Sequence, residues 1–91
     1  MQPMEALMPK RDTLRHIRHT IRTQMNGHGK TLRLTVDKVR SGIIVQFPEQ
    51  VVKGVRFPES SFRGKNPRDV IRPAVEFLKV FVSNHHRSFV G

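Results

Sequence analysis

The fold turns on residues 31–64, TLRLTVDKVRSGIIVQFPEQVVKGVRFPESSFRG. Its first seven residues alternate strictly. Leu32, Leu34 and Val36 fall on one side, and Thr31, Arg33, Thr35 and Asp37 on the other. A period of two is the mark of a strand with one buried face. Residues 43–47, IIVQF, are short and β-branched, with Ile43, Val45 and Phe47 on one side, and read as a second strand. Residues 38–42, KVRSG, supply a turn between them, so the two strands are expected to form a hairpin.

The second half of the stretch repeats itself. Residues 45–54, VQFPEQVVKG, are followed directly by residues 55–64, VRFPESSFRG. Val, Phe, Pro, Glu and Gly recur at matching positions, and Lys53 corresponds to Arg63. Each unit reads as a strand that ends in a buried Phe and leaves through a Pro-Glu turn. Proline has no N–H to give to a ladder, so it terminates or edges a strand. Two similar strand exits explain the repeat better than a ligand motif used twice.

Helices flank this region. In residues 10–25, Leu14, Ile17, Ile21 and Met25 recur every three or four residues, which predicts one apolar helix face. Asp12 or Thr13 is expected as its N-cap, and Asn26-Gly27 as a left-handed C-terminal cap. A second helix is predicted over 66–83. Asn66 is suited to cap it, Pro67 to occupy its first position and Asp69 its first turn. Pro73 predicts a kink, or a short turn before a main helix. Residues 74–82, AVEFLKVFV, are apolar nearly all round. Such a helix must be covered on more than one side. A homodimer through Val75, Leu78, Phe81 and Val82 would cover it; the alternative is burial under the first helix and the sheet.

These elements predict an α+β domain in the order α-β-β-β-α, with a three-stranded antiparallel sheet packed by two helices. The expected boundaries are a flexible arm over residues 1–9, one domain over 10–83 and a flexible tail over 84–91. This order resembles that of the double-stranded-RNA-binding domain over residues 12–83. That resemblance implies a second helix whose basic start faces phosphates. The lysine cluster and small-residue run of that family are replaced here by Asn66-Pro67 and Pro73.

The chain has 91 residues, no Cys and a formal net charge of +10, from 17 Lys and Arg against 7 Asp and Glu. Without Cys there are no disulfides and no thiolate metal ligands. No apolar run reaches the ~20 residues of a membrane span, and the first nine residues lack the pattern of a signal peptide. A cytoplasmic protein with no membrane partner is expected. The charge excess points to a polyanion, with nucleic acid first. Arg binds phosphate with a planar two-pronged fork, and 11 of the 17 cations are Arg.

Two cation sets stand out. The first is Arg15, Arg18 and Arg22, spaced along the first helix and expected opposite its apolar stripe. No acid lies between Asp12 and Asp37, and Lys30 and Arg33 extend this set. The second is Arg63, Lys65 and Arg68 at the entry to the second helix, with Arg72 one turn on; Arg33 and Arg40 could extend the surface from the sheet and its turn. With no Trp or Tyr, and with Phe47, Phe57, Phe77 and Phe81 at core positions, stacking on single-stranded bases is disfavoured.

The histidines suggest two further chemistries. His16 and His19 could share one edge of a metal, but no third ligand accompanies them. His28 lies between glycines and could serve as acid or base in a small ribonuclease, a class some of whose toxins are similar in size and charge. No partner group is evident for it. The expected function is non-enzymatic, cofactor-free binding of duplex or structured nucleic acid through its phosphates. A module that docks its basic face on an acidic protein is the alternative.

Overall fold

The computed structural model describes residues 11–90; the arm expected over 1–9 lies outside them. The chain is α+β. It contains two helices, α1 (Arg11–Gln24) and α2 (Pro67–Val90), and five strands: β1 (Thr35–Val39), β2 (Gly42–Phe47), β3 (Gln50–Val52), β4 (Val55–Phe57) and β5 (Ser60–Gly64). β1, β2 and β5 form the expected three-stranded antiparallel sheet, with β2 central. β3 and β4 form a separate antiparallel ribbon. The order is therefore α-β-β-β-β-β-α. The simpler strand order shared with the double-stranded-RNA-binding domain does not hold, because each repeat unit holds two strands rather than one.

The repeat now has a structural meaning. Its first unit runs through β2, a Pro48-Glu49 turn and β3; its second runs through β4, a Pro58-Glu59 turn and β5. Phe47 and Phe57 are buried at equivalent places. Phe47 meets Phe77 with ring centroids 6.2 Å apart, and Phe57 meets Phe81 at 6.1 Å. Phe77 and Phe81 are one helical turn apart on α2 and touch each other at 4.9 Å. The ten-residue repeat thus seats two strand ends on successive turns of one helix, a rise of about 6 Å. Phe62 of β5 joins the stack, 6.0 Å from Phe47 and 5.4 Å from Phe77. Edge-to-face pairs at these distances suit the aromatic quadrupole.

The first strand starts later than its alternation predicts, at Thr35 rather than Thr31. Residues 31–34 keep the alternating burial, with Leu32 and Leu34 inside, but have no strand beside them. The reason is Pro48. β1 pairs with β2 only as far as Thr35 opposite Gln46, and β2 ends one residue before the proline. A side chain takes the place of the missing strand. The Arg33 N–H donates to Gln50 Oε1 at 2.8 Å, and Gln50 Nε2 donates to the Arg33 carbonyl at 2.9 Å and to the Pro48 carbonyl at 3.2 Å. Gln50 is the one buried polar side chain among the described residues, and both ends of its amide are satisfied.

α1 forms as its spacing predicts, with Ile17, Ile21 and Met25 buried. It is already helical at Arg11, the first described residue, so Asp12 and Thr13 lie within the helix rather than at its cap. It does not end in a left-handed glycine. The chain tightens into a 3-10 turn over Asn26–His28, with Met25 N–H donating to the Arg22 carbonyl and His28 N–H to the Met25 carbonyl.

α2 starts as read. Asp69 Oδ2 accepts from the Asn66 backbone N–H at 3.2 Å and from its Nδ2 at 3.3 Å, while the Asp69 N–H donates to the Asn66 backbone carbonyl at 3.0 Å, so the carboxylate rather than the Asn66 side-chain oxygen does the capping. The helix runs through Pro73 without a break and continues to Val90, past the end expected at 83. Val70, Ala74, Val75 and Leu78 are buried against α1 on one side and the strands on the other. This answers the packing problem posed by its all-round apolar sequence. Leu78 and Val75 are inside the chain itself and are not available to a second copy. Phe81 and Val82 are half-buried, and among the described residues only Val80, 53% exposed, is a large apolar side chain open on this helix.

Candidate functional site

Gly42 and Gly64 build the most cationic end of the molecule. Gly42 opens β2 with φ 154°, and a Cβ on it would collide with the Gly64 carbonyl oxygen and lie 3.1 Å from Lys65 Cα. Only glycine permits both the backbone angle and the approach. That contact presses the β1–β2 turn, Arg40-Ser41, against the junction of β5 and α2. Around it stand Lys38, Arg40, Arg63, Lys65, Arg68 and Arg72, all exposed.

Register sets which face each strand cation takes, with Lys38 and Arg63 in adjacent rows that project to opposite faces of the sheet's end. Lys38, Ile43 and Gly64 form one row across the sheet, and Asp37, Ile44 and Arg63 the next. Ile44 lies on the outer face yet is buried, flanked in its row by Asp37 and Arg63. Of the two acids at this end, Asp69 is engaged in capping Asn66, so its charge is directed at the start of its own helix. The first N–H groups of α2 open towards the same region and add a positive dipole end. His16 of α1 joins Asn66, Pro67, Arg68, Arg72 and the capping Asp69 around one shallow hollow.

The opposite end of the sheet differs in charge. Phe47 pairs with Ser60, which brings Pro48 beside Glu59 around a hollow that also includes Gln46, Ser60 and Ser61. Both Pro-Glu turns are there, so Glu49 and Glu59 lie a strand length, about 15–20 Å, from Arg40 and Lys65.

The ten cations singled out in the sequence therefore divide. Arg40, Arg63, Lys65, Arg68 and Arg72 belong to segments that meet at one end, where Arg68 and Arg72 share a hollow. Arg18 and Arg22 do not project from α1 opposite the apolar stripe; they flank it and are half-buried. Arg22 Nη2 donates to the Leu32 carbonyl at 3.0 Å, and the Nε atoms of Arg18 and Arg22 are buried without a partner. At about 100° per residue, positions 18 and 22 sit beside 14, 21 and 25 rather than across from them. Arg22 and Lys30 border a separate hollow with His19, Thr23 and Gly29. His16 faces the start of α2, so the two flanks of α1 point apart. Arg33 lies near the Pro-Glu end, its backbone held by Gln50, and Arg15 is exposed on α1.

Lys38 belongs to the group as well, although the sequence assigns it to a turn. Only a strand running to Val39 puts it in line with Ile43 and Gly64.

His16 and His19 are each within hydrogen-bonding reach of a threonine four residues on, Thr20 at 3.5 Å and Thr23 at 3.4 Å. Among the described residues no three His, Asp or Glu converge as metal ligands. No helix among them is long and apolar enough to cross a membrane. No family model matches this chain, and neither a curated protein nor a solved structure matches it. The functional reading therefore rests on the arrangement of its own side chains.

Proposed function

We propose that this chain is a nucleic-acid-binding module that holds the phosphate backbone at its basic end, through Arg40, Arg63, Lys65, Arg68 and Arg72 with Lys38 beside them, and acts by binding rather than by catalysis. The observation that carries this reading is the Gly42–Gly64 contact. It draws three separate cation-bearing segments, the β1–β2 turn, the end of β5 and the start of α2, to one end of the molecule. Six cations gathered there would repel one another unless an anion relieves them, and the net charge of +10 strengthens the field. Among the described residues the aromatic rings are drawn into the Phe47–Phe62–Phe77–Phe81 stack rather than offered to bases, which favours contact with backbone and shape over base stacking.

The test is binding of labelled duplex DNA, duplex RNA and a single strand at two salt concentrations. Binding in the micromolar range or tighter that weakens steeply with salt is the expected outcome, and the preferred polymer names the ligand. No binding to any of the three at low salt would overturn the proposal and leave an acidic protein surface as the partner to seek.

A further inference from the structure

A second cation cluster lies apart from the basic end, where the 3-10 turn, the β3–β4 turn and the middle of α2 meet. Gly27, His28, Lys79, Val82 and Ser83 line a hollow there together with Gln24, and among the described residues no Asp or Glu lines it. His28 is half-buried in its wall. Lys53, at the tip of the β3–β4 turn, reaches the same place: a Cβ on Gly27 would lie 2.9 Å from its Nζ. The absence of a side chain at Gly27 is what leaves room for that ammonium. The turn is seated on α2 as well, because a Cβ on Gly54 would lie 3.6 Å from His85 Cε1.

The backbone at Lys53 is the unusual feature. Among the described residues it is the one non-glycine with positive φ, at 51°, followed by Gly54 at 83°. Two successive positive φ values make the two-residue turn that suits hairpin twist, and its first position favours Asn, Asp or Gly. A lysine in the left-handed region is strained by its Cβ. Turn formation does not call for lysine there, so the ammonium needs another reason to be present.

We infer that Lys53, Lys79 and His28 form a binding site for a single phosphate group. Two ammonium groups and an imidazole can donate to phosphate oxygens from three sides, and the hydroxyl of Ser83 lies in the same wall. The site is independent of the basic end. The phosphate would come either from a small molecule such as pyrophosphate or a nucleotide, or from a nucleic-acid strand that continues beyond the basic end.

The experiment follows the ring signals of His28 and the backbone amides by NMR on the full chain. One titration uses inorganic pyrophosphate and another a short single-stranded RNA. Lys53→Gly is the decisive variant, because glycine suits the turn better than lysine and removes the side chain that carries the ammonium. Lys79→Gln and Arg68→Ala accompany it. Expected are shifts at Gly27, His28 and Lys79 that saturate, with pyrophosphate affinity reduced roughly three- to tenfold in Lys53→Gly and Lys79→Gln, and with Arg68→Ala lowering RNA affinity while the pyrophosphate-induced shifts around His28 remain. Saturation by pyrophosphate assigns a small-molecule site, and saturation by RNA alone assigns a strand contact. Absence of shifts around His28 with both ligands, or shifts that persist unchanged in Lys53→Gly and Lys79→Gln, would overturn the site. Arg68→Ala affects only the basic end, so failure of one site leaves the other testable.

Discussion

The two cation clusters are each held in place by a two-residue hairpin turn, and the turns work in opposite ways. At Arg40-Ser41 the cation is exposed and the strain-tolerant residue is the following glycine, Gly42, whose contact with Gly64 brings other segments close. At Lys53-Gly54 the cation itself occupies the left-handed position, and a glycine elsewhere, Gly27, makes room for it. The first arrangement yields an open surface of exposed side chains on three segments, suited to a long polyanion whose binding is governed by field and salt. The second yields a half-enclosed hollow with few donors, suited to one anion. A count of Lys and Arg would score the two alike; the backbone that carries them separates their uses.

The largest effect that would break this comparison is expected at the first turn. Gly42→Ala puts a Cβ against the Gly64 carbonyl at a φ that alanine rarely adopts, and should cost about 3 kcal/mol in urea unfolding. Its loss of nucleic-acid affinity should exceed that of any single cation, while pyrophosphate binding at the Lys53 hollow persists in the folded fraction. Equal stability to the parent would show that the contact does not hold the basic end together.

Gln50→Ala comes next. It leaves the Arg33 N–H and carbonyl without their partners and should cost about 2 kcal/mol, with both ligand affinities unchanged under conditions where the variant is folded. A change in affinity without a change in stability would move Gln50 from scaffold to site.

Arg68→Ala and Arg40→Ala should leave the unfolding midpoint within error and weaken duplex binding. Each should reduce the slope of log K against log salt by about one unit for every phosphate the arginine had neutralised. Arg22→Ala is the counterpart. Its guanidinium holds the Leu32 carbonyl, so it should cost about 1 kcal/mol of stability and leave the slope unchanged. If the salt slope falls in Arg22→Ala and not in Arg68→Ala, the phosphate track runs along α1.

The smallest effect is at the second turn. Lys53→Gly should raise stability by about 0.5 kcal/mol, the relief of a left-handed lysine less the entropy of a new glycine, as read from the urea midpoint. A loss of stability instead would mean that the lysine supports the turn through its contacts, and would remove the reason for assigning it to a ligand.

Much of the fold was legible. The Leu14–Met25 spacing and the Asn66-Pro67-x-Asp69 start belong to segments whose structure is decided within a few residues, and both helices formed there. The end of the first helix was less legible, because a 3-10 turn and a left-handed glycine cap suit the same Asn-Gly sequence. At the candidate site the cations at the entry to α2 and Arg40 of the hairpin turn were read as separate sets, and the contact of Gly42 with Gly64 that brings their segments to one end has no local signal in the sequence. Arg18 and Arg22 were placed on the wrong part of the helix surface: at their angles the stem packs beside the core, and the long arginine chain hides that from a reading by charge.

By itself the sequence determined which segments could be helix or strand, where the second helix begins, and that the chain carries a large positive charge. Those properties follow from periodicity, capping and composition, which act over a few residues or need no geometry. Only the tertiary structure decided that β5 rather than β4 lies beside β2, that Gln50 stands in for a strand beside Arg33, and that Val75 and Leu78 of α2 are buried within the chain. It also decided which cations meet. Pairing and packing depend on segments far apart in the chain, and any one of several short, similar strands satisfies the local pattern equally well. What selects among them is the joint fit of Phe47, Phe57 and Phe62 on one helix and of Gly42 on Gly64, and that fit exists only once the whole chain is assembled.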